Sequence, residues 1–292
     1  MGASLKDIAC KLNLSKTTVS WVLSGQGDKK GISAETQSRV LACARSLAYE
    51  PNLLARSLNT GVSKTIGLIL PSISDTFFAH IADRIESEAE REGYSLMIAG
   101  SNSETERENA LIRLFRSKKV DGIIIVPAAG VDLAHTLDRT TMTTPIVQVG
   151  GRQRSFRTSM VGIDENAAME SIVAHLAEQG VRSAAYLAGK EVSFESAEMF
   201  AMFHTQMRTH RLVTDTSWNR FGDSTVERGY QCVWRMFADS DARPPEAVIC
   251  ADDMIALGAM IALQTLGIRV PDDVRVVGYD DSPLALTTMP TL

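Results

Sequence analysis

Apolar residues recur every three to four positions at the start of the chain. Leu5, Ile8, Ala9 and Leu12 share one face of a predicted helix. Ser4 and Asp7 form the S-x-x-D pattern that caps its start. Asn13 stands where that helix must stop, because asparagine tolerates the left-handed backbone of a sharp reversal. Leu14 tucks under the turn, and Ser15 caps a second helix whose inner face is Val19, Val22 and Leu23 and which Gly25 ends. Lys16, Thr17, Thr18, Ser20 and Trp21 point away from this core. After a Gly/Lys/Asp loop at Gln26–Ile32, Ser33 caps a third helix over Ala34–Tyr49, with Val40, Leu41, Ala44, Leu47 and Ala48 as its apolar positions. Pro51 breaks the chain. Asn52 caps a short segment, Leu53–Leu58, that Gly61 ends. It is too short to be a stable helix alone, and DNA or a partner chain packed on it would order it.

The period changes at Thr65. Thr65–Pro71 is a continuous apolar run, suited to a strand buried on both faces. Strands and helices then alternate. The predicted strands are Ser95–Ala99, Asp121–Val126, Pro145–Val149, Met160–Ile163, Ser183–Leu187, Ala247–Cys250 and Val274–Tyr279. The predicted helices are Phe77–Glu92, Arg107–Lys118, Ala167–Gln179, Ser196–Thr209, Thr225–Phe237 and Met254–Leu266. Such alternation means parallel sheets covered by helices. About five strands precede Asp164 and a second series follows it, so two α/β lobes with a cleft between them are expected, and ligands in such sheets sit beyond the C-terminal strand ends.

Charge sharpens this division. Residues 1–60 carry 8 Lys/Arg against 4 Asp/Glu, whereas residues 61–292 carry 22 against 31. A small basic head on a larger acidic body suits a nucleic-acid-binding module joined to something else. An outward face of short polar side chains with a lysine at a helix N-terminus is what major-groove reading needs; a solvated αα-hairpin without a ligand is the alternative. Four scattered cysteines with no C-x-x-C, a polar N-terminus and no apolar run near the ~18 residues of a membrane span point to a cytoplasmic protein with reduced, buried thiols.

The chain resembles the LacI/GalR family of bacterial transcription regulators over essentially its whole length. The motifs are S-L-K-D-I-A, S-K-T-T-V-S, Y-E-P-N-L-L-A-R-S-L-N-T-G, T-I-G-L-I-L-P, F-F, V-D-G-I-I-I, A-D-D-M-I-A-L-G-A and V-V-G-Y-D-D, in that order. The resemblance implies an all-α helix-turn-helix head with a hinge helix (1–61, hinge about 52–60) and a two-lobed periplasmic-binding-protein-like core (62–292, lobes about 65–163 and 164–292). It implies homodimers or tetramers on palindromic double-stranded operators, a small-molecule effector, here a sugar, between the lobes, and no cofactor or metal. Family members also continue past the point where this chain stops, at Leu292, so the C-terminus is expected to be truncated.

Carried over by position, the resemblance places Lys16, Thr17 and Trp21 against base edges and Ser15, Thr18 and Ser20 near phosphates. Asn52, Ala55 and Arg56 fall in the hinge, and Leu58 matches the leucine wedged into the central minor-groove step; an ordinary dimer contact is the other reading of Leu58. Position 21 is usually an arginine, whereas Trp21 offers a single indole donor, so an unusual operator preference is expected unless Trp21 packs back on the head. In the effector cleft, Met199 stands where the family carries an arginine. Asp252 and Asp280 would bind sugar hydroxyls, although Asp280 also suits a helix cap. Ser72, Phe77, Phe78 and Gln148 are candidates from the first lobe, and either phenylalanine also suits the core.

Three other functions compete. An enzyme using Asp252/Asp253 and Asp280/Asp281 lacks support from any metal spacing among the five histidines, from G-x-S-x-G or from a phosphate loop. A sugar carrier does not account for the head. A regulator answering to a protein partner is left open by Met199.

Overall fold

The computed structural model describes residues 3–50, 57, 60–127, 144–150, 159–189, 194–238 and 244–292. The chain divides into two compact units, Met1–Ser63 and Lys64–Leu292. The first contains α1 (Leu5–Leu12), α2 (Lys16–Leu23) and α3 (Ala34–Ser46). Ser4 and Asp7 close a reciprocal capping box on α1, and Asn13 takes the left-handed backbone, φ 53°, that turns the chain into α2. Ile8, Ala9, Val19, Val22, Val40, Cys43 and Ala44 are buried together, with Leu14 and Tyr49 packed against them.

The third helix corrects the expectation in two ways. It ends at Ser46 rather than Tyr49, because Ala48 adopts φ 45° and the Tyr49 N–H turns back to the Ala44 carbonyl at 2.9 Å. Its inner stripe is therefore 40, 43, 44 and 47. Leu41, a further 100° round the helix, is 44% exposed, while Cys43 is buried. Cys10 is exposed, unlike the other three thiols, since it lies on the outer side of α1.

The second unit holds two parallel sheets. The first has the order β2-β1-β3-β4-β5, from β1 (Thr65–Leu70), β2 (Ser95–Gly100), β3 (Gly122–Ile125), β4 (Ile146–Val149) and β5 (Ser159–Val161). Its helices α4 (Thr76–Arg91) and α5 (Thr105–Ser117) follow β1 and β2. Gly67 on β1 leaves room for the Phe115 ring of α5, which any Cβ there would strike. The chain then passes through residues 162–164 into α6 (Glu165–Glu178), capped by Asp164, whose Met169, Val173 and Leu176 belong to the core of the second sheet.

That sheet has the order β7-β6-β8-β9, from β6 (Ala184–Ala188), β7 (Arg220–Phe221), β8 (Ala247–Cys250) and β9 (Arg275–Val277). Both β6 and β8 are buried along their whole length, as strands covered by helices on both faces must be. The two-residue β7 has no alternation to betray it in sequence and exists through its pairing with β6. The covering helices are α7 (Phe194–Thr209), α8 (Val226–Ala238) and α9 (Asp253–Thr265). Where α8 crosses α9, Gly229 lies against the Ile255 carbonyl and Gly258 against that of Val226, so neither position has space for a methyl group. Among the described residues no helix is long and apolar enough to cross a membrane.

Candidate nucleic-acid interface and effector cleft

The outer face of α2 is built by its cap. Ser15 Oγ accepts the Thr18 N–H at 3.0 Å and pairs with the Thr18 hydroxyl at 2.8 Å. With Val19 and Val22 in the core, Lys16, Thr17 and Ser20 are left exposed and Thr18 half-buried. The N–H groups aligned at the start of α2 add positive potential beside Lys16. Trp21 lies between the two readings given for it. It is half-buried, and the Lys30 ammonium stands over its ring, 5.1 Å from the centroid. The proposed hinge residues Asn52, Ala55, Arg56 and Leu58 lie outside the described residues.

In the second unit the candidate residues gather at C-terminal strand ends. After β1, Ser72 pairs with the Ser74 hydroxyl at 3.0 Å and Asp75 caps α4 by accepting the Phe77 N–H at 2.9 Å. Phe77 and Phe78 are both half-buried and meet edge to face at 5.3 Å. At the end of β4, Gln148 is 4% exposed and its amide donates to the Gly150 carbonyl at 2.9 Å, so it shapes the strand end and offers little to a guest.

After β8, Asp252 caps α9, its Oδ1 accepting the Ile255 N–H at 2.7 Å. The alternative reading of Asp280 as a helix cap is not met: the short 3₁₀ turn that follows β9 starts after Leu284. Burial holds the Asp252 carboxyl above the ordinary range, against the pull of its hydrogen bonds. Asp280, after β9, is pushed up to about 7, first by burial and then by the charges of Asp252, Asp253 and Asp75. A carboxylate of the first lobe thus raises the proton affinity of two in the second.

Met199 does not fit its expected place. It is 9% exposed and packs in the core cluster that contains Met169, Val173 and Phe203. A methionine at an arginine's sequence position has no charge to keep it in water, so it turns into the lobe.

Two residues were not placed in the cleft by the sequence reading. Asp253 is 3% exposed and accepts the Ser282 N–H at 2.8 Å and its hydroxyl at 2.7 Å, pinning the loop that carries Asp280. The only signal was the Asp-Asp doublet, which does not say which member turns inward. Tyr279 has a buried hydroxyl with no hydrogen-bond partner among the described residues, and burial raises its pKa. Among the described residues no group of three or more His, Cys, Asp or Glu is placed to hold a metal ion.

The sequence of residues 4–52 matches the family described as "Bacterial regulatory proteins, lacI family", and residues 173–292 match "Periplasmic binding protein-like domain". The HTH-type transcriptional repressor PurR of Vibrio cholerae is 30% identical over 291 residues, covering 99% of this chain and 85% of that protein. The chain belongs to the LacI family. PurR of Mannheimia succiniciproducens is 29% identical over 281 residues, covering 96% of this chain and 82% of that protein. The crystal structure of the lac repressor dimer bound to operator and the anti-inducer ONPF superposes with a TM-score of 0.87 at 26% identity, covering all of this chain and 86% of that one. A LacI family regulator from Lactobacillus casei with bound glucose gives 0.68 at 25% identity, over 77% of this chain and 83% of that one. This LacI-family chain is accordingly a DNA-binding transcriptional repressor and not an enzyme.

Proposed function

We propose that this repressor acts in the cytoplasm as a homodimer on a palindromic operator and controls carbohydrate-utilisation genes through a sugar-like effector held between its lobes. The observation that carries the reading is the outer face of α2, where Lys16, Thr17 and Ser20 are exposed on a helix anchored by Val19 and Val22. Two such helices, one per protomer, would enter successive major grooves. Lys16, Thr17 and Trp21 would meet base edges while Ser15, Thr18 and Ser20 approach phosphates. The hinges, with Asn52, Ala55, Arg56 and Leu58, would meet in the minor groove between. The domain limits proposed are 1–61 and 62–292.

A sugar is favoured because Asp252 and Asp280 are acceptors at neighbouring strand ends, the class of group that pairs with hydroxyls, and because a regulator of similar fold carries glucose. Ser72, Phe77 and Phe78 would line the other wall.

The test is a selection from random duplexes by the purified protein, with and without a panel of sugars. Recovery of a two-fold symmetric site whose affinity changes with one sugar is expected. Recovery of no preferred duplex would overturn the operator reading; a preferred duplex indifferent to every sugar would overturn only the effector.

A further inference from the structure

We propose that Lys30 is a positioning residue for Trp21, so that the turn after the recognition helix helps to set which base pairs the head prefers. This rests on the reading of α2 as the base-reading helix. An arginine can grip a guanine with two donors, whereas an indole has one, and its aim depends on the tilt of the ring. Trp21 is half-buried, so only part of that ring is held by the core.

Lys30 supplies the missing hold. Its ammonium stands 5.1 Å from the ring centroid, within the ~6 Å range of a cation–π contact. Lys30 is itself exposed, yet its backbone is pinned. The Gln26 N–H donates to the Trp21 carbonyl at 2.8 Å, and the Lys30 N–H donates to the Gln26 carbonyl at 3.1 Å. Asp28–Lys30 form a single 3₁₀ turn closed by Gly31 at φ 68°. The Gln37 amide of α3 donates both to Asp28 Oδ1 and to the Ile32 carbonyl at 2.8 Å, and it occupies the space that a Cβ on Gly27 would fill. The turn is thus bolted to α2 at one end and to α3 at the other, and among the described residues Lys30 forms no ion pair that would draw it off the ring.

The pair is tested in the full chain with Lys30→Gln, Lys30→Arg, Trp21→Leu and the double variant Lys30→Gln/Trp21→Leu. Each is titrated with the selected operator and with its single-base variants, after circular dichroism confirms equal helix content. Lys30→Gln should lower discrimination about two- to five-fold at the base pairs that Trp21→Leu also affects. Lys30→Arg should keep it, and Lys30→Gln should add nothing once Trp21 is gone. Equal weakening on every duplex, with discrimination unchanged, would make Lys30 a phosphate contact and overturn the proposal. A second readout needs no DNA. With Trp218→Phe and Trp234→Phe leaving Trp21 as the sole indole, Lys30→Gln should increase acrylamide quenching. Unchanged quenching would show that the contact is not held in solution. Failure of the unaltered protein to bind any duplex would count against the operator reading, and the quenching result would still decide the fate of the pair.

Discussion

Asp252 and Asp253 are neighbours in sequence with opposite duties. Asp253 is buried and accepts two hydrogen bonds from Ser282 on Oδ2, whereas Asp252 caps α9 with one oxygen and shares its surroundings with Asp280. Burial of Asp280, and after it that crowding, makes stability depend on pH. An unfolded aspartate titrates near 4, while native Asp280 does so at about 7. The native state therefore holds this proton more tightly. Its contribution is complete below about pH 4 and is lost as pH rises from about 4 to about 7. Asp280→Asn should raise the melting temperature at pH 8 by a few degrees, corresponding to about 1–2 kcal/mol after solvent screening, and should bring no gain at pH 4. Thermal scans at the two pH values check the sign. At the other end of the chain, Trp21→Arg should change the preferred operator towards guanine at the position that the indole faces, as read by repeating the duplex selection. An unchanged preference would mean that position 21 does not meet the bases.

At the level of elements, helix starts were legible because their caps are local chemistry. Ser4, Ser15 and Ser33 each cap by accepting the N–H of the residue three ahead, and sequence spacing alone identifies such pairs, whereas the cap at Asp164, which starts its helix two residues before the predicted Ala167, was not read. The end of α3 was not, since its reversal at Ala48 uses no glycine. Strands β6 and β8 announced themselves as unbroken apolar runs, but β7 depends on a partner distant in sequence. The same limit applied to the site. The positions of Asp252 and Asp280 at strand ends could be placed from the alternation of elements, whereas the inward turn of Met199 is set by packing among side chains from α6, β6 and α7. Packing also governs the crossing of α8 and α9. Gly258→Ala should force the two helices apart and cost about 1–3 kcal/mol or more. The shift in urea midpoint, followed by the fluorescence of Trp218 and Trp234 in that lobe, measures it.

On the scale of the whole molecule, specific and non-specific binding should separate. Leu58→Ala is expected to weaken binding to the selected operator by at least ten-fold more than binding to random duplex, because a wedge acts only where the DNA is kinked. Equal losses in a competition assay would reduce Leu58 to a protomer contact. Affinity for either duplex should fall steeply between 50 mM and 200 mM salt as phosphates are re-screened; a flat response would exclude docking of the basic head. The effector and the operator must also change each other's affinity by one common factor, which titration in both orders would show.

The glycine contacts between α8 and α9 carry one last implication. Asp252 rides at the tip of α9, and α9 is seized backbone-to-backbone against its neighbour. A guest that tugs on this one carboxylate would haul both rods together, as a stiff lever, and a local handshake at a strand end would become a displacement of a whole flank of the lobe.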